Sequence, residues 1–226
     1  MSIGPPQISA SLLNADFSRL GDEVVRALDA GCDSLHFDVM DGHFVDVITM
    51  GPDVIRSVRP HGSVPYHAHL MVSRPLAQVA AFAEAGSDLI AFHVEADDDP
   101  GAVIDAIHAA GRGAGLALNP ETAADAVLPF LDRIELLLVM TVHPGRGGQQ
   151  LIHEVLPRMA FLRDEIDRRG LDLPIGVDGG VNLDTIGAAH AAGGEVFVAG
   201  SVLYREQGDL APVVASLRAA ALEDAE

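Results

Sequence analysis

The chain has 226 residues, one cysteine, no lysine and a formal net charge of −19, from 14 basic and 33 acidic side chains. That charge argues against nucleic acid or an anionic membrane surface as a partner, and the missing lysine excludes a Schiff-base or P-loop mechanism. Cys32 stands alone, so no internal disulfide forms and a reducing compartment fits.

Residues 1–10 lack the charged and apolar regions of a secretion signal. No apolar run approaches the roughly 20 residues of a membrane span, so a soluble, cytoplasmic protein is expected. Glycines that end helices are expected at Gly31, Gly62, Gly86, Gly111, Gly170 and Gly193, separated by 31, 24, 25, 59 and 23 residues. The gap of 59 is close to two units. A strand and a helix repeating at this period, about eight times, predicts a single (β/α)8 barrel occupying residues 1–226 as one domain.

Strands are expected near residues 7–12, 34–39, 64–70, 89–94, 113–118, 135–141, 173–178 and 195–199, several of them nearly continuous apolar runs. Helix starts are marked by Asp16 as an N-cap, by Pro52 and Pro75, by Asp99-Pro100, by Asn182 and by Asp209. The tail from Leu222 to Glu226 is expected to fray.

The second strand carries the strongest signal. Leu35, Phe37 and Val39 alternate with His36, Asp38 and Met40, and side chains two apart share a face, so one face is apolar and the other chemical. The turn signal Asp41-Gly42 follows at once, which places His36 and Asp38 at the carboxyl end of a parallel strand, where barrel enzymes build their sites. Other strands end in the same manner. Ser11, His69 and Met71, His93 and Glu95, Asn119, Met140 with Thr141 and His143, Asp178-Gly179-Gly180, and Gly200-Ser201 all fall at strand ends. Polar groups scattered through a core are costly, and a structural account would not collect them at one end.

His36, Asp38, His69 and Asp178 form a candidate metal set. Two imidazoles and two carboxylates suit one divalent ion per subunit, Zn²⁺ preferred and Mn²⁺, Fe²⁺ or Co²⁺ possible, with a position open to a substrate oxygen. His93 and Glu95 are read either as groups that orient these ligands or as a structural pair. Three glycine-rich turns follow the last three strands: 144–149 with Gly145, Gly147 and Gly148, 178–182 with Gly179 and Gly180, and 199–201 with Gly200 and Ser201. Each is expected to offer backbone amides to an anion and to lead into a helix whose N-terminus favours negative charge. Met40, Met71 and Met140 are read equally as core fillers or as a dry floor to the site.

Taken in order, the stretches 36–45, 69–72, 139–149, 177–181 and 198–201 resemble the ribulose-phosphate 3-epimerases. The resemblance runs from Ile8 to about Tyr204. It implies a metal held by His36, Asp38, His69 and Asp178, with Asp38 and Asp178 as the acid–base pair. It also implies a phosphate on the amides around Gly147–Gly148, Gly179–Gly180 and Gly200–Ser201, and Ser11 beside the substrate. The reaction would convert D-ribulose 5-phosphate to D-xylulose 5-phosphate through a metal-stabilised cis-enediolate, with no redox cofactor. Moving a proton from one face of C3 to the other calls for two acid–base groups on opposite sides, which agrees with two aspartates on distant strands.

The chain departs from the family pattern at Ala10, Asp46-Val47, His67-Ala68, His143 and Arg146, positions that border the substrate. An epimerase of allulose 6-phosphate or a tetrulose phosphate is therefore an alternative. Another phosphate-binding isomerase or lyase, and a non-catalytic sugar-phosphate-binding barrel, rank behind it. A homo-oligomer is expected by analogy with other barrels.

Overall fold

The computed structural model describes residues 4–204 and 208–223. Eight parallel strands close into a barrel in sequence order: β1 (Gln7–Ser11), β2 (Ser34–Met40), β3 (Tyr66–Met71), β4 (Leu89–His93), β5 (Gly113–Leu118), β6 (Leu136–Met140), β7 (Ile175–Asp178) and β8 (Val196–Ala199), with β8 paired back onto β1. Every expected strand is present within about two residues of its expected bounds. Two of the shifts have a plain cause. Pro65 and Pro174 precede β3 and β7, lack an N–H to donate, and serve only as acceptors for Leu35 and Leu137.

The helices are α1 (Leu20–Asp29), α2 (Pro52–Val58), α3 (Val79–Ala85), α4 (Pro100–Ala109), α5 (Leu156–Arg169), α6 (Ile186–Ala191), α7 (Ser201–Tyr204) and α8 (Ala211–Glu223). Asp99 caps α4 by accepting from the Ala102 amide, Pro52 opens α2, and Asp209 accepts from the Ala211 amide at the start of α8. Asp16 and Pro75 start 3-10 turns that lead into α1 and α3. Asn182 does not cap α6. It accepts from the Asp184 amide within a turn, and the helix begins only at Ile186.

Five of the six expected helix-ending glycines adopt a positive φ, between +68° and +103°. Gly62 does not, because α2 tightens into a 3-10 turn over Arg59–His61 and leaves the chain extended. Between β5 and β6 there is no α-helix. Pro120 and Pro129 interrupt that stretch, and the connection is made of 3-10 turns at Ala124–Ala126 and Leu128–Arg133. At the carboxyl terminus Leu222 and Glu223 lie within α8, so fraying does not begin at Leu222, and residues 224–226 lie outside the described residues.

Strand alternation sorts side chains into two cores. Leu35, Phe37 and Val39 face outward into the large apolar layer beneath the helices. Inside the barrel, Leu89, Ala91, Ala117, Leu136, Leu138, Val196 and Val198 form a second cluster, contributed by β4, β5, β6 and β8. The polar side chains Ser9, Ser34, His36, Asp38 and His69 on β1, β2 and β3 are also buried. His93, at the end of β4, meets this polar group through His69. Arg218 on α8 reaches the carbonyls of Pro6 and Gly31 and the carboxylate of Asp33, whose Oδ2 in turn accepts from the Ile8 amide, so the last helix pins the first strand.

No helix among the described residues is long and apolar enough to cross a membrane. Cys32 is buried, and burial pushes its thiol up to about 12. A thiol so placed holds almost no thiolate at pH 8. The native protein should therefore leave a disulfide reagent such as DTNB unreacted at pH 8 and release one equivalent of thionitrobenzoate on unfolding in guanidinium. Rapid reaction before unfolding would contradict this packing.

Candidate functional site

The register of β2 against β3 builds the site. His36 pairs with His67 and Asp38 with His69, so the side chains of His36, Asp38 and His69 enter the barrel interior together. Asp178 arrives from β7, the last residue of its strand, opposite Met140 on β6. His36, Asp38, His69 and Asp178 each offer one ligand atom, and the four atoms lie within 4.8 Å of one another. His36 Nε2 lies 3.3 Å from Asp38 Oδ1 and 3.5 Å from Asp178 Oδ2, and His69 Nδ1 lies 3.5 Å and 3.1 Å from the same two oxygens. All four side chains are buried.

A chain of ring contacts fixes the tautomers. The Glu95 carboxylate lies 3.1 Å from His93 Nδ1, and His93 Nε2 lies 2.9 Å from His69 Nε2. An ionised carboxylate only accepts, so Nδ1 of His93 carries its proton and Nε2 is free to accept from His69 Nε2–H. The lone pair of a neutral His69 is thereby left on Nδ1, facing Asp38 and Asp178. His93 is held neutral: burial pulls it down to about 4, with the nearby His69 adding to the effect. Burial raises Glu95, but bonds from His93, the Asn119 amide and the Thr122 hydroxyl outweigh this and keep it below the usual carboxylate range.

The inner cluster calls for positive charge. Asp178 Oδ2 is buried with no hydrogen-bond partner, although two ring nitrogens lie within 3.5 Å of it. His36 Nε2 and His69 Nδ1 are themselves only 3.2 Å apart. Lone pairs facing lone pairs in a buried space are repulsive, and either protons or one cation at their centre resolves the conflict. Burial pulls His36 down, but Asp38 and Asp178 push the imidazole up to about 10. Burial raises both carboxylates, and the two histidines draw them below the usual range. A nitrogen and oxygen donor set with these properties could hold a divalent metal.

Neighbouring groups hold the ligands in place. Ser11 Oγ donates to Asp38 Oδ2 at 2.6 Å. Thr49 Oγ1 donates to the Asp38 carbonyl at 2.5 Å and accepts from the Met40 amide at 3.0 Å, which locks the end of β2. Thr141 does the same for β7, donating to the Gly179 carbonyl at 2.6 Å while its amide donates to the Asp178 carbonyl at 2.9 Å. The Asp41 carboxylate accepts from the amides of His43, Phe44 and Ser73, tying the loop after β2 to that after β3.

Above the four ligands opens a cleft. Ser11, Asp38, Met40, Met71, Met140, Gly145, Gly147, Gly148, Asp178, Gly179, Gly180, Gly200 and Ser201 line it. Of the residues expected to touch a substrate, only His69, read both as a metal ligand and as a substrate contact, does not line the cleft. The three methionines are buried side chains that line the cleft. Gly180 has a φ of +67°, and a methyl group there would lie 2.7 Å from Leu151 Cα, so only glycine lets the two loops touch.

One expectation is corrected. Only the Gly200–Ser201 turn leads directly into a helix, the four-residue α7. The turns after β6 and β7 run on to α5 at Leu156 and α6 at Ile186, because each first folds back against the other across the Gly180–Leu151 contact. For those two turns any attraction for an anion comes from backbone amides, not from a helix terminus. Arg146 is exposed on the rim of the cleft, and Gln149 Nε2 donates to its carbonyl.

Sequence reasoning missed Thr49, Thr141's clasp and Asn14. Thr49 sits in a loop with partners 9 and 11 residues away and has no local signal. Asn14 had one, as a polar residue three positions beyond the strand end at Ser11, and it lines the cleft. His67 faces inward from β3 and is pulled down to about 4 by burial, with His36 adding to the effect; its Nδ1 has no partner.

The sequence matches the family described as "Ribulose-phosphate 3 epimerase family" over residues 7–204. It is 41% identical over 212 residues to the ribulose-phosphate 3-epimerase of Escherichia coli K12, covering 93% of this chain and 94% of that one. To the ribulose-phosphate 3-epimerase of Mycobacterium bovis it is 44% identical over 217 residues, covering 96% and 93%. Among solved structures, KGPDC from Streptococcus mutans in complex with D-R5P superposes with a TM-score of 0.69 at 15% identity, over 96% of this chain and 97% of that one, a likeness of fold.

Two outcomes test this geometry. Glu95→Ala should leave His93 and His69 unoriented and lower divalent-metal affinity by about 10- to 100-fold, measured by competition with a chromogenic chelator. An unchanged affinity would make the His93–Glu95 pair merely structural. Gly180→Ala should destabilise the fold by about 2–4 kcal/mol in chemical denaturation, from the left-handed backbone and the clash with Leu151 together. A loss below about 0.5 kcal/mol would show that the loops separate freely.

Proposed function

Because the chain belongs to the ribulose-phosphate 3-epimerase family and is an enzyme of the isomerase class, we propose that it interconverts D-ribulose 5-phosphate and D-xylulose 5-phosphate with Asp38 and Asp178 as its acid–base pair. The observation that carries this reading is the meeting of two buried carboxylates, from strands on different sides of the barrel, at the floor of a cleft edged by three glycine turns. Epimerisation beside a ketone removes the C3 proton on one face and returns a proton on the other. Asp38 serves one face and Asp178 the other.

The remaining residues prepare that exchange. Ser11 holds Asp38 in one rotamer through its bond to Oδ2, and Thr49 and Thr141 fix the backbone beneath the two carboxylates. His36 and His69 border both aspartates and hold them in place. In each turnover one aspartate starts as the carboxylate that takes the C3 proton and the other as the carboxylic acid that gives one, and the roles exchange in the reverse reaction. Met40, Met71 and Met140 exclude water from an enediolate that would otherwise be protonated at random. Amides around Gly147–Gly148, Gly179–Gly180 and Gly200–Ser201 receive the phosphate.

The unpartnered Asp178 oxygen and the donor set fit a divalent ion held by His36, Asp38, His69 and Asp178, with Zn²⁺ preferred and Mn²⁺, Fe²⁺ or Co²⁺ able to replace it. When bound it supplies Lewis-acid stabilisation for the negative charge that develops on the ketone oxygen.

Assays of purified protein on D-ribulose 5-phosphate, allulose 6-phosphate and a tetrulose phosphate test the reading. D-Ribulose 5-phosphate should give the highest kcat/KM, chelation should remove activity, and a divalent ion should restore it. Asp38→Asn and Asp178→Asn should each lower kcat by about 10²- to 10⁴-fold. Preference for another ketose phosphate would reassign the substrate, and a metal-loaded protein inert on all three would contradict the proposal.

A further inference from the structure

We propose that Asn14 is a phosphate-binding residue of this cleft, a role that rests on reading the cleft as a ketose-phosphate site. Asn14 closes the 3-10 turn Leu12–Asn14 that leaves β1 directly after Ser11, the residue bonded to Asp38. Its side chain lies between two of the three glycine turns. A methyl group built on Gly147 would come within 2.8 Å of Asn14 Nδ2, and one built on Gly200 would strike Asn14 Oδ1 more closely still. Glycine at both positions makes room for this one amide. Asn14 thus bridges the turn after β6 and the turn after β8, across the end of β1.

The amide has no hydrogen bond with any described residue, although it is half-buried and lines the same cleft as Asp38, Gly200 and Ser201. A primary amide carries two donors and an acceptor, and here none of them is taken up by a described residue, so all are available to a ligand entering the cleft. The neighbourhood names the ligand's chemistry. In a chain of net charge −19 with no lysine, attraction for a phosphate dianion must come from local N–H groups. Nδ2 of Asn14 adds a directed side-chain donor to the backbone amides of the two turns it touches. Because the same short turn carries Ser11, the donor also fixes how far the phosphate sits from Asp38, and so which carbon of the sugar reaches the acid–base pair.

The test compares wild type with Asn14→Asp and Asn14→Ala, first confirming equal thermal stability. Asn14→Asp keeps the shape and turns a donor into a negative charge. It should weaken binding of inorganic phosphate, measured by calorimetry, and raise KM for D-ribulose 5-phosphate, each by about tenfold or more. Asn14→Ala should weaken both by a smaller factor, about threefold to tenfold. Weakened phosphate binding in the variants of a wild type that turns over no ketose phosphate would leave the contact standing while the epimerase reading falls. The proposal is overturned if both variants bind phosphate within twofold of wild type, or if KM rises while phosphate binding does not change.

Discussion

Two carboxylates held side by side away from water set the terms for the rest of this molecule. Asp38 and Asp178 both approach the same pair of ring nitrogens, and all four side chains are buried. Burying ionised groups costs several kcal/mol each unless opposite charge and hydrogen bonds offset the loss. The surroundings supply both: histidines against one side of each carboxylate, Ser11 on the other oxygen of Asp38, and clasps from Thr49 and Thr141 on the backbone. The arrangement extends outward through His69, His93 and Glu95 to the Asn119 amide, at the start of the loop after β5.

The interior of the barrel is divided to serve this site. Apolar side chains of β4, β5, β6 and β8 pack into one cluster, which supplies rigidity at no electrostatic cost. Buried polar side chains of β1, β2 and β3 meet Asp178 from β7 and His93 from β4. With an acidic surface, the phosphate site proposed for the cleft would rely on its local N–H groups and not on the long-range field. The loop after β6 borders that cleft with glycines where side chains from other loops must approach, as Asn14 does at Gly147.

Much of this was legible in the sequence, for reasons that differ by element. The alternation of Leu35, Phe37 and Val39 with His36, Asp38 and Met40 reads directly as a strand because the period of two is local and strong. The polar residues at successive strand ends could be gathered into one site because a closed parallel barrel puts all its carboxyl ends on one face. What escaped was decided by distance or by competition. Thr49 bonds to backbone brought near only by the fold. The fifth unit has the length for a helix, but Pro120 and Pro129 confine it to 3-10 turns. Asn182 has the chemistry of an N-cap and spends it on a local turn instead. The helix termini expected behind the glycine turns are displaced because those turns pack on each other first.

The central claim is that two aspartates act on opposite faces of one carbon, and the fate of the C3 hydrogen tests it most directly. The measurement is NMR of product formed from D-ribulose 5-phosphate by metal-loaded protein in deuterated water, taken early in the reaction. The account predicts D-xylulose 5-phosphate carrying solvent deuterium at C3, because the group that delivers the new proton is not the one that removed the old. Product that retains the original hydrogen at C3 would mean that a single group carries it from face to face, and would contradict the two-carboxylate site.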